Sequence, residues 1–245
     1  MCGRFELSSV GDVVARVFGL VDIPALEPRF NVAPMQGIFV VWRNGDVRVG
    51  ESMQWGFVPA WAREPSMGSR LINARSETIG VKPAYRNAFK RRRCLIPADS
   101  FYEWKILDND EKIRFGYSGR KKYKQPVRVV SANGNLFAFA GLWEHWEDPG
   151  GSGTVIHSCT IITTKANELL RQIHERMPVI VREDDFDRWL DCDDEKVTDD
   201  DFKVIFTGIS ADEMRFHFVS RKVNKAEFDS RECVEEFHGE GGLFG

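Results

Sequence analysis

Val10, Val13, Val14, Val17 and Phe18 recur at helical spacing and predict an amphipathic helix, with Ser8 or Ser9 as its N-cap. Beyond it the apolar period shortens towards two. The runs "GIFVVW" and "DVRVGESMQWGFV" read as a hairpin turning at Asn44-Gly45. Further strands are expected at 93–98, 126–131, 136–144, 159–164, 178–181 and 216–220. Helical spacing returns at 165–173, through Leu169, Leu170 and Ile173, and at 184–191, through Phe186, Trp189 and Leu190. Residues 200–207 fit neither period clearly. Strands follow strands without regular βαβ alternation. The pattern therefore predicts a single α+β domain over 1–237, built on a mostly antiparallel, strongly bent, barrel-like sheet with a few peripheral helices. Residues 106–125 read as a long exposed insertion, and 238–245 as a frayed tail.

Composition narrows the function classes. No run of about 18 apolar residues exists, so no transmembrane helix and no membrane partner are expected. The first residues carry no apolar signal segment, and secretion is not expected. The five cysteines, at 2, 94, 159, 192 and 233, are widely spaced and form no C-x-x-C pair, so neither a metal nor another cofactor is expected. Cys94, Cys159, Cys192 and Cys233 read as reduced, buried or incidental thiols. The net charge of −3 hides an asymmetry. Residues 1–130 hold 22 Lys and Arg against 13 Asp and Glu, and the remainder holds 12 against 24. Much of that acid lies in 183–201, which reads as a solvated face. The first half is left free to present a basic surface.

Cys2 is the unusual residue. Removal of Met1 from in front of it would leave an α-amine and a thiol on adjacent carbons, a 1,2-aminothiol that no internal cysteine can supply. The amine has a reference pKa of about 7.7–8.0 and the thiol about 8.5, so a useful fraction of neutral amine already exists near neutrality. Four other stretches exceed what a core requires. "LINARSET" (71–78) makes a poor strand and a poor core, and its bland reading is a polar loop. In "SFYEWK" (100–105), alternation puts Glu103 on the face with Phe101, opposite Tyr102 and Trp104; it reads equally well as a half-exposed strand residue with a cationic neighbour. His174 in "IHERMP" ends a helix before a strand, where a lone histidine is more often structural. "WGFVPAWA" (55–62) sets Trp61 in a loop, where an exposed ring near arginines suits single-stranded nucleic acid.

"MCGRF", "NVAP", "WGFVPAW", "INARSET", "FYEWK", "IHERMP" and "FHFVSRKVN" stand in the order and rough spacing of the SRAP family, the SOS response-associated peptidase-like proteins, which the chain resembles from residue 2 to about 225. The resemblance implies a DNA-damage function: capture of an abasic site in single-stranded DNA as a covalent thiazolidine crosslink. It implies Cys2 as nucleophile, Asn73 as the group positioning its amine or the sugar, Glu103 as proton shuttle and His174 acting on the sugar oxygen. It implies Arg4 and Arg75 as phosphate clamps, Pro34 and Trp61 as wedges against flanking bases, and Arg221 as a further phosphate contact. Abasic single-stranded DNA is the expected partner, replication-fork proteins are further candidates, and a monomer is expected. The expected location is the nucleoid-containing cytoplasm of a prokaryote or the nucleus of a eukaryote.

Three other readings compete. "Met-Cys-Gly" also opens N-terminal-nucleophile amidohydrolases of the glutamine amidotransferase kind, in which the thiol attacks a carboxamide. That reading leaves Asn73, Glu103 and His174 unexplained. Autoproteolysis by Cys2 and a purely non-covalent DNA-binding module are the others.

Overall fold

The computed structural model describes residues 2–192 and 198–239. The elements in chain order are β1 (Phe5–Leu7), α1 (Gly11–Phe18), β2 (Arg29–Val32), β3 (Gly37–Asn44), β4 (Val47–Trp55), β5 (Asn73–Arg75), α2 (Arg86–Arg91), β6 (Arg93–Ala98), β7 (Ser100–Ile106), α3 (Asn109–Arg114), β8 (Lys124–Ser131), β9 (Phe137–Glu147), β10 (Val155–Lys165), α4 (Glu168–Arg171), β11 (Arg176–Pro178), α5 (Phe186–Leu190), α6 (Lys203–Thr207) and β12 (Met214–Phe218).

Five strands close on themselves in the order β10-β4-β3-β6-β9-β10. The β10–β4 pair is parallel and the others antiparallel, so the barrel is mixed. Short β5 and β11 extend it from the two edges of β10. A second, antiparallel sheet runs β12-β8-β7-β1-β2. The expected α+β domain with a bent, barrel-like sheet is what forms. The two sheets meet on aromatic rings: Phe5 of β1 lies 5.3 Å from Trp55 of β4 and 6.1 Å from Phe139 of β9, and Phe101 of β7 lies 5.9 Å from Phe139. The barrel closes tightly at Gly141. A Cβ there would fall 2.8 Å from the Cys94 sulfur on β6 and 3.1 Å from the Thr160 carbonyl oxygen on β10.

Several local expectations shift. Asn44 pairs with Val47, so the hairpin loop is Gly45-Asp46, one residue later than the expected turn; Gly45 takes the left-handed φ of 59° that this turn requires. The N-cap of α1 is Val10, without a side-chain cap. Ser8 and Ser9 are drawn away by Asp99: both backbone N–H groups donate to its Oδ2 and Ser9 Oγ donates to its Oδ1. The predicted helix at 165–173 contracts to α4, because the chain must turn back at His174 to reach β11. The strand expected at 178–181 instead ends at Pro178, leaving Ile180 in an isolated bridge to Phe139. Residues 200–207 form a 3-10 turn followed by α6. The 106–125 segment is not simply exposed: it carries α3, closed by an Asp108/Glu111 capping box, and it buries Leu107 and Phe115. Part of the acidic 183–201 stretch (193–197) and of the 238–245 tail (240–245) lies outside the described residues; within the former, Phe186, Trp189 and Leu190 of α5 are buried.

One buried ion pair fixes β1. Glu6 is 2% exposed and accepts from Arg128 Nε at 2.9 Å, from Arg128 Nη2 at 2.6 Å and from Ser100 Oγ at 2.5 Å. Removing one partner of such a pair leaves the other desolvated. Glu6→Ala should lower the unfolding free energy by about 3 kcal/mol, read from urea denaturation of the purified variant.

Candidate functional site

The register of β1 places the start of the chain. Phe5 pairs with Phe101 of β7, and the Tyr102 N–H donates to the Arg4 carbonyl at 3.0 Å. Just before β1, Cys2 lies close enough to Glu103 for the carboxyl to act on its thiol. Cys2 is wholly buried, with its sulfur 3.9 Å from the Arg4 carbonyl oxygen. Glu103, 4% exposed, lies on the Phe101 side of β7, as alternation predicts, while Tyr102 packs into a separate cluster with Val219, Val223 and Cys233.

Asn73 arrives from the barrel. β5 pairs in parallel with β10, Asn73 against Ile161, and the Trp55 indole N–H donates to the preceding Ile72 carbonyl at 2.9 Å. Ala74 points into the core, so Asn73 and Arg75 share the other face, the amide half-buried and the guanidinium exposed. The stretch read as a polar loop is thus a short strand. Asn73 Nδ2 donates to the Cys2 carbonyl at 2.8 Å. Its Oδ1 is buried and has no hydrogen-bond partner among the described residues. An acceptor left unused next to residue 2 is suited to an N–H donor arriving there.

Burial, followed by the negative charge of Glu103, raises the Cys2 thiol well above its ordinary range. That shift favours the protonated sulfur at rest, with the buried Glu103 side chain nearby. Tyr85, whose hydroxyl donates to the Asn73 carbonyl at 3.3 Å, is raised to about 12 by burial and acts as a neutral donor.

His174 stands where α4 turns into β11, on the β11 side of β10, whereas Asn73 lies on the β5 side. Its Nδ1 accepts the Arg176 backbone N–H at 3.0 Å, so the neutral ring carries its hydrogen on Nε2. The Arg176 side chain spans the strands. It forms a bidentate pair with Glu77, both contacts 2.9 Å, and its Nε donates to Thr163 Oγ1 at 3.1 Å. These bonds from Arg176, ahead of any other cause, depress the Glu77 carboxyl. Tyr85 and the Glu77–Arg176 clasp were missed in the sequence. The clasp had a faint signal, since an acid in "INARSET" and a base in "IHERMP" are of opposite sign; Tyr85 had none.

The expected DNA contacts divide. Trp61 is 58% exposed and edges an open cavity of about 380 Å³ with Arg63, Glu64, Ser66, Met67 and Arg70. Pro34 is half-buried beside exposed Met35, which alone among the described non-glycine residues takes a left-handed φ, 69°. The Met35 N–H donates to the Trp55 carbonyl at 2.7 Å, which holds this turn against the start of the Trp61 loop. Arg4 is engaged within the protein: its guanidinium donates to Asn31 Oδ1 at 2.9 Å and to the carbonyls of Val223 and Asn224 at 2.6 and 3.2 Å. Arg221 donates to the Lys124 carbonyl and lies over the Tyr117 ring. A cavity of about 730 Å³, lined in part by Val13, Asn133, Arg182 and Glu213, contains none of the candidate residues. No helix among the described residues is long and apolar enough to cross a membrane.

Beside the mixed barrel, a cysteine at residue 2 is thus buried against the Asn73 amide with Glu103 nearby. The SOS response associated peptidase (SRAP) family model matches residues 1–226, and the chain belongs to that family. It is 41% identical to the abasic site processing protein YoqW of Bacillus subtilis, over 96% of this chain and 99% of that one. It is 34% identical to the abasic site processing protein HMCES of Mus musculus, over 96% of this chain and 75% of that one. A crystal structure of a Bacteroides thetaiotaomicron protein shares the fold at 20% identity, with a TM-score of 0.80 over 96% of this chain and all of that one.

Among the cysteines, Cys192 is half-exposed, whereas Cys2, Cys94, Cys159 and Cys233 are buried. Iodoacetamide should therefore modify Cys192 first and Cys2 slowly at pH 8. Glu103→Gln removes the charge that opposes the thiolate, so Cys2 labelling, read by peptide mass spectrometry, should accelerate.

Proposed function

We propose that this chain processes abasic sites in single-stranded DNA by forming a covalent thiazolidine crosslink through Cys2. The observation that carries this reading is the Asn73 amide bonded to the Cys2 carbonyl, with its own oxygen buried and unused. The names of the curated relatives point the same way for the class of lesion. The reading requires removal of Met1, which lies outside the described residues.

In the reaction, the α-amine of Cys2 attacks the aldehyde of a ring-opened abasic sugar. Loss of water gives an iminium. The Cys2 sulfur then adds to the same carbon, its proton leaves to the Glu103 carboxylate, and the five-membered ring closes with the iminium nitrogen neutralised. One aldehyde and one aminothiol yield one thiazolidine and one water. Because burial keeps the thiol protonated, the amine acts first and the sulfur follows once a cationic carbon stands beside it. The two nucleophiles are joined through adjacent carbons, so closure is intramolecular, with effective molarities that can reach roughly 10⁵ M. Closure also removes the iminium before it can acidify the sugar C2 proton and cleave the strand. Asn73 Oδ1 would hold the amine. The His174 Nε2–H would donate to the sugar oxygen during ring opening or reversal. Arg75 offers an exposed cation for a phosphate, and Trp61 a face for a flanking base. Arg4 and Arg221 would also contact phosphate, although both are already bonded to backbone carbonyls. We further place the domain at residues 1–237, acting as a monomer.

Incubation with abasic single-stranded DNA should give a shifted band on a denaturing gel, and Cys2→Ala should give none. Cys2→Ser should retain the amine: the adduct should then require borohydride trapping, and strand cleavage should rise. A wild-type protein that retards the DNA only under native conditions would sink the proposal in favour of non-covalent binding. Trp61→Ala should weaken binding by about 1–3 kcal/mol while leaving the adduct chemistry intact, measured by fluorescence anisotropy on an undamaged strand.

A further inference from the structure

Away from Cys2, four titratable side chains form a row across the outer face where β4, β9 and β10 meet. Glu51 belongs to β4, His157 to β10, and His145 and Glu147 to β9. His145 and His157 are direct cross-strand partners. Their rings approach through His145 Nδ1 and His157 Nε2, 3.0 Å apart. The outward nitrogens are both taken by carboxylates: His145 Nε2 lies 2.8 Å from Glu147 Oε1, and His157 Nδ1 contacts Glu51 Oε1.

An ionised carboxylate only accepts, so each outward nitrogen carries its ring's hydrogen. A neutral imidazole has a single N–H. With both rings neutral, the two inward nitrogens present lone pairs to one another at 3.0 Å, an arrangement that a shared hydrogen ion or a bound metal cation can satisfy. Each ring is also backed by a carboxylate through the nitrogen remote from the gap. Metal-bound histidines are oriented in that way. The side chains are 43% and 35% exposed, so an ion from solvent can reach them.

We propose that His145 Nδ1 and His157 Nε2 form a binding site for a late first-row divalent ion of the nickel(II) or copper(II) kind. Two nitrogens 3.0 Å apart can both lie ~2.1 Å from one ion at an N–metal–N angle of about 90°. That angle belongs to octahedral or square-planar coordination and is narrow for tetrahedral zinc. Among the described residues no three His, Cys, Asp or Glu side chains converge as ligands, so water completes the coordination. Glu51 and Glu147 balance the charge of the ion from the second layer. The ion would join β9 to β10 and, through Glu51, to β4. The site does not depend on the proposed chemistry at Cys2.

The full chain, with its thiols reduced, is titrated with nickel chloride by calorimetry and by tryptophan fluorescence. The Trp143 ring lies 6.1 Å from that of His157 and supplies the optical signal. One ion should bind per chain with partial quenching. Glu147→Gln should weaken binding by about 10–100-fold. A His145→Ala, His157→Ala double variant should lose the site while keeping its circular dichroism, its thermal melt without metal, and its adduct with abasic DNA. Equal nickel binding by wild type and double variant would overturn the proposal, as would loss of binding on Cys2→Ala, which would move the ion to the thiol. Tighter zinc than nickel binding at the pair would overturn the coordination geometry.

Discussion

Burial of the second residue of the chain is the constraint on which the rest of the structure turns. The first residues of most domains are poorly ordered unless something ties them down. Here β1 is short, and it is held on every side. β2 and β7 flank it, Phe5 plugs the junction between barrel and sheet, and Glu6 is locked by Arg128 and Ser100. Asp99 then fastens Ser8 and Ser9. A dangling cysteine would be a promiscuous thiol. A clamped one has a defined neighbour for its sulfur and for its carbonyl.

That clamping sets the electrostatics. A buried sulfur beside a carboxylate is a poor thiolate, which disfavours its reaction with ordinary electrophiles. In the proposed reaction the same carboxylate would become useful once a cationic carbon is bound, because it would then stabilise that charge and receive the proton. On that reading, one feature would both restrain the thiol at rest and serve the reaction itself.

The sequence carried the class of fold and the motifs well, because period-two strands and a helical stripe follow directly from which side chains are buried. Glu103 could be placed on the Phe101 face from alternation alone. What stayed illegible was contact between distant segments. Nothing local says that Asp99 will take Ser8 and Ser9 from α1, or that Leu107 and Phe115 will anchor an apparently exposed insertion. Arg4 is the most instructive case: its basic charge suggests an anion, yet Asn31 and the 223–224 carbonyls already occupy much of its guanidinium. Those carbonyls lie some 220 residues away along the chain, beyond the reach of any window.

The barrel seam at Gly141 also bears on how a ligand could be accommodated. A ring of strands joined without a gap cannot peel open from an edge, and the hydrogen atom at 141 leaves three strands with almost no slack. Under the proposed reading, accommodation therefore falls on the loops around the barrel and on the visitor, while the ring of strands keeps its shape.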